Sequence, residues 1–435
     1  MIIDNHPFEV NDKGHLVIGG ADAVELAQKY GTPLYVYDVN IIRNNCKAFI
    51  ETFDKMEVTA KVAYASKAFS SIAMLQIMKQ ENMCLDVVSE GELYTALQAE
   101  FPTEKIHLHG NNKSLNELRM AIENDIGCIV VDNFREIELI GRLLKEYNKQ
   151  MDVLMRVTPG IESKTHQYIM TGNEDSKFGF NLNNGQAEEA FKLLWNHEFI
   201  KFKGLHCHIG SQIFETDRFL IATEVLFQEL KNWKNTYGFI PEVLNLGGGY
   251  GIRYTSEESP ISYDIYVKEL VTEVKKHVQM LAIPMPEIWL EPGRAIAGNA
   301  GLTLYTVGAI KHIPGIRNYV SVDGGMTDNL RPALYQAKYE AVIANKASAP
   351  PISEVSIAGK CCESGDMLIW DLPLPKVDHG DILAVFSTGA YGYSMANHYN
   401  RFAKPAVVFV EDSQDKLVVK RESYQDIISH DLSYE

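Results

Sequence analysis

The 435-residue sequence has no C-x-x-C pair, and so lacks the usual seed of a structural zinc site. Its six cysteines stand at 46, 84, 128, 207, 361 and 362, a scatter that suggests reduced thiols, not a disulfide framework. Basic charge is in deficit: 41 Lys and Arg against 57 Asp and Glu give a formal net charge of −16. That balance argues against nucleic acid or an anionic membrane as the main partner. A phosphate ligand would then need a local cradle of backbone N–H groups. No apolar run approaches the roughly 18–20 residues of a membrane span. Met1–Gly20 mixes Asp, Asn, His and Glu among its apolar residues, so no secretory signal is expected and a cytoplasmic location is. Low-complexity tracts are also missing.

What is present is an ordinary globular composition, 46% apolar and 23% charged, in a chain long enough for two domains. Short runs of Val, Ile, Leu and aromatics recur near 60–65, 84–88, 106–109, 127–131, 152–157, 203–209, 242–246 and 287–290. Between them, Ser71–Gln80, Glu90–Ala99, Leu115–Asn124 and Arg135–Tyr147 carry helical periodicity. Eight strands alternating with helices predict an α/β fold of (β/α)8 TIM-barrel type. A doubly wound open sheet competes, because periodicity cannot show closure. The polar residues favour the barrel: Lys67, Ser89, His109, Asp132, Arg156, His208, Gly247–Gly249 and Glu291 all follow proposed strands, and a barrel brings those strand ends to one face.

After Pro292 the spacing changes. Segments 302–309, 317–323, 352–358, 381–386 and 405–410 read as strands punctuated by Gly, Pro and Asp. The expected division is a barrel domain over 36–292 and a β-rich domain over 293–435, with residues 1–35 joining the latter. Leu34–Tyr37 is itself strand-like.

The chemistry-bearing motifs fall on the barrel's strand ends. Lys67, in Y-A-S-K-A-F, could lose its charge by desolvation and form an imine, although a lone lysine there is more often a surface residue. Gly247-Gly248-Gly249-Tyr250-Gly251 follows strand seven, where barrels commonly bind phosphate; alone it is only a tight turn. Glu291, opening E-P-G-R, suits a carboxylate that keeps a pyridine nitrogen protonated, and Arg294 could grip a carboxylate. In H-C-H-I-G-S-Q, alternation puts His206 and His208 on one side of strand six. His208 is read as stacking on a flat cofactor ring, Ser211 as a phosphate contact, and His206 as a core histidine. A two-histidine metal site is the other reading, but no third ligand is near in sequence, and no metal is expected. In C-C-E-S-G-D, Cys362 suits proton donation and Cys361 a buried structural thiol.

Taken together, G-T-P-L-Y-V-Y-D at 31–38, Y-A-S-K-A at 64–68, H-G-N-N-K-S at 109–114, S-K-F-G-F at 176–180, H-C-H-I-G-S-Q, L-G-G-G-Y-G-I, E-P-G-R, R-P-A-L-Y at 331–335, C-E-S-G-D and G-A-Y at 389–391 resemble the fold type III pyridoxal 5'-phosphate (PLP)-dependent decarboxylases, in the branch acting on diaminopimelate. The resemblance runs through nearly the whole chain. It implies PLP as cofactor, Lys67 as the Schiff-base lysine and His208 stacked on the ring. Ser211, Gly248, Gly249, Glu291, Gly293, Arg294 and Tyr391 become cofactor contacts. Arg294, Arg331, Tyr335, Glu363 and Tyr391 become substrate contacts, and Cys362 the proton donor. Cys362 and Glu363 would come from the partner subunit of a homodimer. One departure is visible: where many relatives carry a proline, this chain reads Gly359-Lys360-Cys361-Cys362-Glu363-Ser364.

The implied reaction is decarboxylation of meso-2,6-diaminopimelate to L-lysine and CO2. Alternatives are an ornithine- or arginine-type decarboxylase, a racemase, which a carboxylate at the ring nitrogen disfavours, and a non-catalytic PLP-binding protein, which would have no second domain.

Overall fold

The computed structural model describes residues 6–160 and 175–435. The first five residues of the N-terminal stretch read for a signal therefore lie outside it. The chain divides into two compact units: Asn45–Gly251 with Pro260–Ala295, and Met1–Asn44 with Ile252–Ser259 and Ile296–Glu435, each over its described residues.

The first unit is a closed barrel. Its strands are β1 (Ala60–Ala65), β2 (Cys84–Val87), β3 (Ile106–Leu108), β4 (Cys128–Val131), β5 (Met151–Thr158), β6 (Ile200–His206), β7 (Val243–Asn245) and β8 (Glu287–Leu290). Each pairs in parallel with the next, and β8 returns to β1 with Leu290 opposite Val62. Closure rules out the open sheet. Strands covered on both faces are rich in apolar residues, and so they stood out in the sequence. Inside, Cys128, Val130, Leu154, Val243 and Trp289 form a small buried cluster.

The helices start where their capping residues dictate. Ser71, Ser89, Ser114 and Asn133 each accept a backbone N–H from the first turn of the helix that follows, and Ser114 does so in a reciprocal box with Glu117. Such caps contribute about 1 kcal/mol each and fix the length of the loops that carry function. Deeper, Lys113 donates to Glu136 at 2.9 Å, to the Val130 carbonyl at 2.6 Å and to the Gly110 carbonyl at 2.7 Å. Glu136 in turn accepts the N–H groups of Asp132 and Lys113. This buried pair ties the loop after β3 to the loop after β4.

The second unit is β-rich. Its long strand β9 (Gly301–Ile313) pairs antiparallel with Leu34–Asp38, with Arg317–Val322 and with Ile382–Val385. Leu34–Asp38 also pairs, in parallel, with Ala406–Glu411. Six strands of this unit went unread: Glu9–Val10, Leu16–Ile18, Ala21–Asp22, Ala341–Ile343, Met367–Leu374 and Gln414–Val419. Two apolar clusters fill this unit, one including Leu34, Val36, Leu302 and Val408, the other Tyr254, Val320, Ile357 and Leu383. Among the described residues, no helix is long and apolar enough to cross a membrane.

Candidate active site

In the barrel unit the candidate residues sit at the ends of β1, β6, β7 and β8. Lys67 lies on a single 3-10 turn, Ser66–Ala68, immediately after β1. It is exposed while Ser66 and Ala68 are fully buried. The turn is held from both sides: the Tyr64 hydroxyl bonds the backbone of Phe69, and Ser66 donates to Glu92 at 2.8 Å. Glu92 also accepts the Val88 N–H. Lys67 thus extends from a fixed base.

Glu291 is approached at both carboxylate oxygens. His206 Nε2 lies 3.0 Å from one carboxylate oxygen, while His109 Nε2, at 3.0 Å, and the Asn245 amide, at 2.6 Å, approach the other. Burial alone would push this carboxyl up, but His109 and His206 outweigh it and hold Glu291 well below the usual range. Burial drives His206 down to about 4, so at neutral pH it is an uncharged donor. Asp86, on β2, is 3.8 Å from His109; burial raises its carboxyl, and the nearby Glu291 charge adds to the effect. Of these two neighbouring carboxyls, Asp86 is pushed up and Glu291 down.

His109, His206 and Glu291 bring three donor atoms within 4.8 Å of one another, so the third ligand missing from the sequence pattern is present in space. The site nevertheless reads as a hydrogen-bonded carboxylate. Each imidazole faces a different oxygen, and an amide N–H, which a cation would repel, shares one of them. The amide orientation is fixed, because Asn245 Oδ1 accepts the Gly247 N–H at 2.9 Å.

The glycine loop is set by close approach. A Cβ at Gly247 would run into the Cys207 carbonyl, at Gly248 into the Glu291 carbonyl, and at Gly249 into the Gly210 carbonyl. Gly247 and Gly249 also hold φ of 68° and 112°, in the region that favours glycine. The Gly248 N–H donates to His208 Nδ1 at 3.2 Å, which orients the imidazole. Burial and the charge of Lys67 keep His208 neutral. β6 ends at His206, so strand alternation does not govern His208; the glycine loop does. Arg294 Nη2 donates to Ser211 Oγ at 3.0 Å, joining the segment after β6 to the one after β8. Gly293 packs against Ala65, where a Cβ would come within 2.9 Å of the Ala65 Cβ.

The other candidates belong to the β-rich unit. Arg331 is buried, donates to the Tyr339 hydroxyl at 2.8 Å and lies 4.9 Å from the Tyr254 ring centroid. Tyr335, on the same short helix, is half-buried, as is Tyr391. Cys361 and Cys362 differ sharply. Cys361 is buried, and burial pushes its thiol up to about 12. Cys362 is exposed, its N–H donating to Asn400 at 2.8 Å. Asp366 shapes this turn by accepting the N–H groups of Cys361 and Met326. Glu363 is exposed, and its carboxylate accepts the Gly365 N–H of its own turn.

Sequence reasoning assigned no role to His109, Asp86, Asn245 or Arg156, and it read His206 as core. A signal existed: Asp86 and Asn245 are polar residues inside otherwise apolar strands. Partners so far apart in sequence, such as His206 and Glu291, could not be paired from it.

The barrel residues fit pyridoxal phosphate on their own chemistry. The carboxylate is ionised and buried, the glycine loop closes where no Cβ is tolerated, a neutral imidazole is held in place, and a lysine stands on an anchored turn. Buried Asp86 Oδ1, with no hydrogen-bond partner among the described residues, adds polar capacity.

Comparison with known proteins agrees. Residues 39–298 match the pyridoxal binding domain of the pyridoxal-dependent decarboxylases. The chain is 62% identical to the diaminopimelate decarboxylase of Bacillus methanolicus, covering 95% of this chain and 96% of that one. It is 59% identical to that of Bacillus subtilis, over 98% and 97% of the two chains. The crystal structure of M. jannaschii diaminopimelate decarboxylase in complex with L-lysine superposes with a TM-score of 0.93, at 36% identity and 99% coverage of both chains. The Helicobacter pylori enzyme, also with L-lysine, gives 0.85 at 30% identity, over 94% of this chain and 98% of that one. With the barrel, its carboxylate and its lysine already in view, these likenesses place the chain in the diaminopimelate decarboxylase family of PLP-dependent decarboxylases.

Proposed function

We propose that the protein releases CO2 from meso-2,6-diaminopimelate to give L-lysine, with pyridoxal phosphate as cofactor. The observation that carries this reading is Glu291, buried on the barrel face that holds Lys67 with two imidazoles and an amide around its carboxylate. Pyridoxal phosphate, when bound, supplies an electron sink conjugated to the substrate's Cα. Glu291 holds a proton at the ring nitrogen, which a neutral carboxyl could not do. His208 covers the ring, and Ser211, Gly248, Gly249, Gly293, Arg294 and Tyr391 seat the cofactor. Lys67 provides the amine that the substrate replaces.

Arg294, Arg331, Tyr335 and Tyr391 bind the substrate, and the arginines grip its distal carboxylate. Binding energy spent on that remote end orients the scissile bond. Glu363 holds the distal amine, and the Cys362 thiol delivers a proton to Cα. The exposure of Cys362 and Glu363 on a well-anchored turn supports their service in a partner's site, hence a homodimer with shared active sites.

The test is CO2 release from meso-diaminopimelate, lysine, ornithine and arginine in parallel. Turnover confined to meso-diaminopimelate is expected; preferential turnover of ornithine would overturn the reading. Mixing Lys67→Ala with Cys362→Ala protein should restore activity by forming one intact site per mixed dimer, and failure to do so would rule out shared sites.

A further inference from the structure

The carboxylate that meets the ring nitrogen has been given a role, but the groups that hold it have not. Glu291 is 6% exposed, and a carboxylate in such a place is normally protonated. Three side chains from three strand ends oppose this: His109 after β3, His206 on β6 and Asn245 on β7. The two imidazoles are edge-to-face, with centroids 5.0 Å apart, so each can address its own oxygen. Other charged or titratable groups acting on Glu291 or its two histidines include Asp86 on β2 and Arg156 on β5, with Lys67 acting on Asp86. Asp86 works against ionisation of Glu291 and Arg156 for it, but neither touches its oxygens among the contacts resolved.

We propose that His109 and His206 are paired positioning residues for the decarboxylation, fixing the orientation and charge of Glu291 and reaching the reacting atoms only through it. The proposal rests on the role given to Glu291 above. It separates the two histidines from His208, which faces the cofactor directly.

The test uses full-length holoenzyme labelled with 13C at the glutamate carboxyl. Isotope-edited infrared spectra, differenced against Glu291→Gln, follow protonation of this one side chain with pH. In the wild type Glu291 should stay ionised from pH 5 to 9. In the double variant His109→Leu/His206→Leu its protonated band should appear within that range, with kcat down about 10- to 100-fold, the usual size when a group that orients a ligand is lost. KM should change little, because substrate contacts are untouched. His206→Gln, which keeps an N–H donor, should recover most of the loss. If the double variant does not fold, the two single leucine variants should each raise the carboxyl part-way. An ionised Glu291 with unchanged kcat in the leucine variants would overturn the proposal, as would a wild-type Glu291 already protonated at pH 7. Unchanged kcat in Glu291→Gln would instead overturn the ring-nitrogen role, whatever the infrared result.

Discussion

Glu291 and Glu363 are the same side chain in opposite circumstances. Glu291 is buried, and two imidazoles and an amide surround its oxygens. Glu363 is exposed, on a turn ordered by backbone bonds to Asp366. The cysteines repeat the contrast: Cys207 in the barrel is buried, with its thiol driven up to about 12, while Cys362 in the β-rich unit is open to solvent. Around Glu291 the barrel's polar groups meet one another, and in the β-rich unit the turn is fixed while Cys362 and Glu363 are left outward. A preorganised electrostatic site needs the first arrangement. Groups that must meet a substrate or another chain need the second.

The strongest way to break this contrast is at Lys67. Lys67→Ala should abolish the cofactor's visible absorbance and lower kcat by roughly three orders of magnitude or more, without lowering Tm by more than a few degrees, since the side chain is exposed. Next come the neighbouring cysteines. Cys362→Ala should lower kcat by about 10²–10⁴-fold, the range for a lost general acid, whereas Cys361→Ala should change kcat by less than threefold or so and instead cost about 1 kcal/mol of stability. Equal effects on kcat would remove the distinction between buried and exposed thiol.

The third test concerns the barrel's internal ties. Lys113→Met leaves Glu136 buried without its charge partner and should destabilise the protein by about 3–5 kcal/mol, read as a fall in the urea midpoint. The smallest effect at neutral pH belongs to His107. Burial lowers it to about 3, and its ring stacks on Trp289 with centroids 4.2 Å apart. Such a histidine stays neutral in the fold but takes a proton in the unfolded chain below about pH 6.5. Stability is therefore unaffected above that pH and falls as pH drops toward the folded value, by about 2 kcal/mol at pH 5. His107→Phe should keep the stack and flatten that slope, with little change at pH 7.5. An unaltered slope would show that the acid sensitivity lies elsewhere.

The barrel was legible because its strands are rich in apolar residues and alternate with stretches of helical periodicity. The β-rich unit was less so. Gln414–Val419 has no buried residue and carries Asp415 and Lys416, and Met367–Leu374 opens on four apolar residues but is broken by Asp371 and Pro373. In the site, Lys67, the glycine loop and Glu291 stood out as polar or flexible residues after strands. The clamp around Glu291 did not, because His109 and His206 reach it from strand ends far away in sequence.

The strand Leu34–Asp38 also decides when the protein can finish folding. It lies between β9 and Ala406–Glu411, so a segment made near the start of synthesis must wait for one made near the end. Until residue 411 leaves the ribosome, one edge of an entirely buried strand stays open to pairing with the wrong chain. The barrel waits for less, since β1 needs only β8 to close it and all eight strands are complete once Leu290 has been made. A C-terminal truncation before Ala406 should therefore leave the barrel's own hydrogen bonding intact while exposing Leu34–Asp38 as a sticky edge. The expected outcome in cells is aggregation and not merely lost activity.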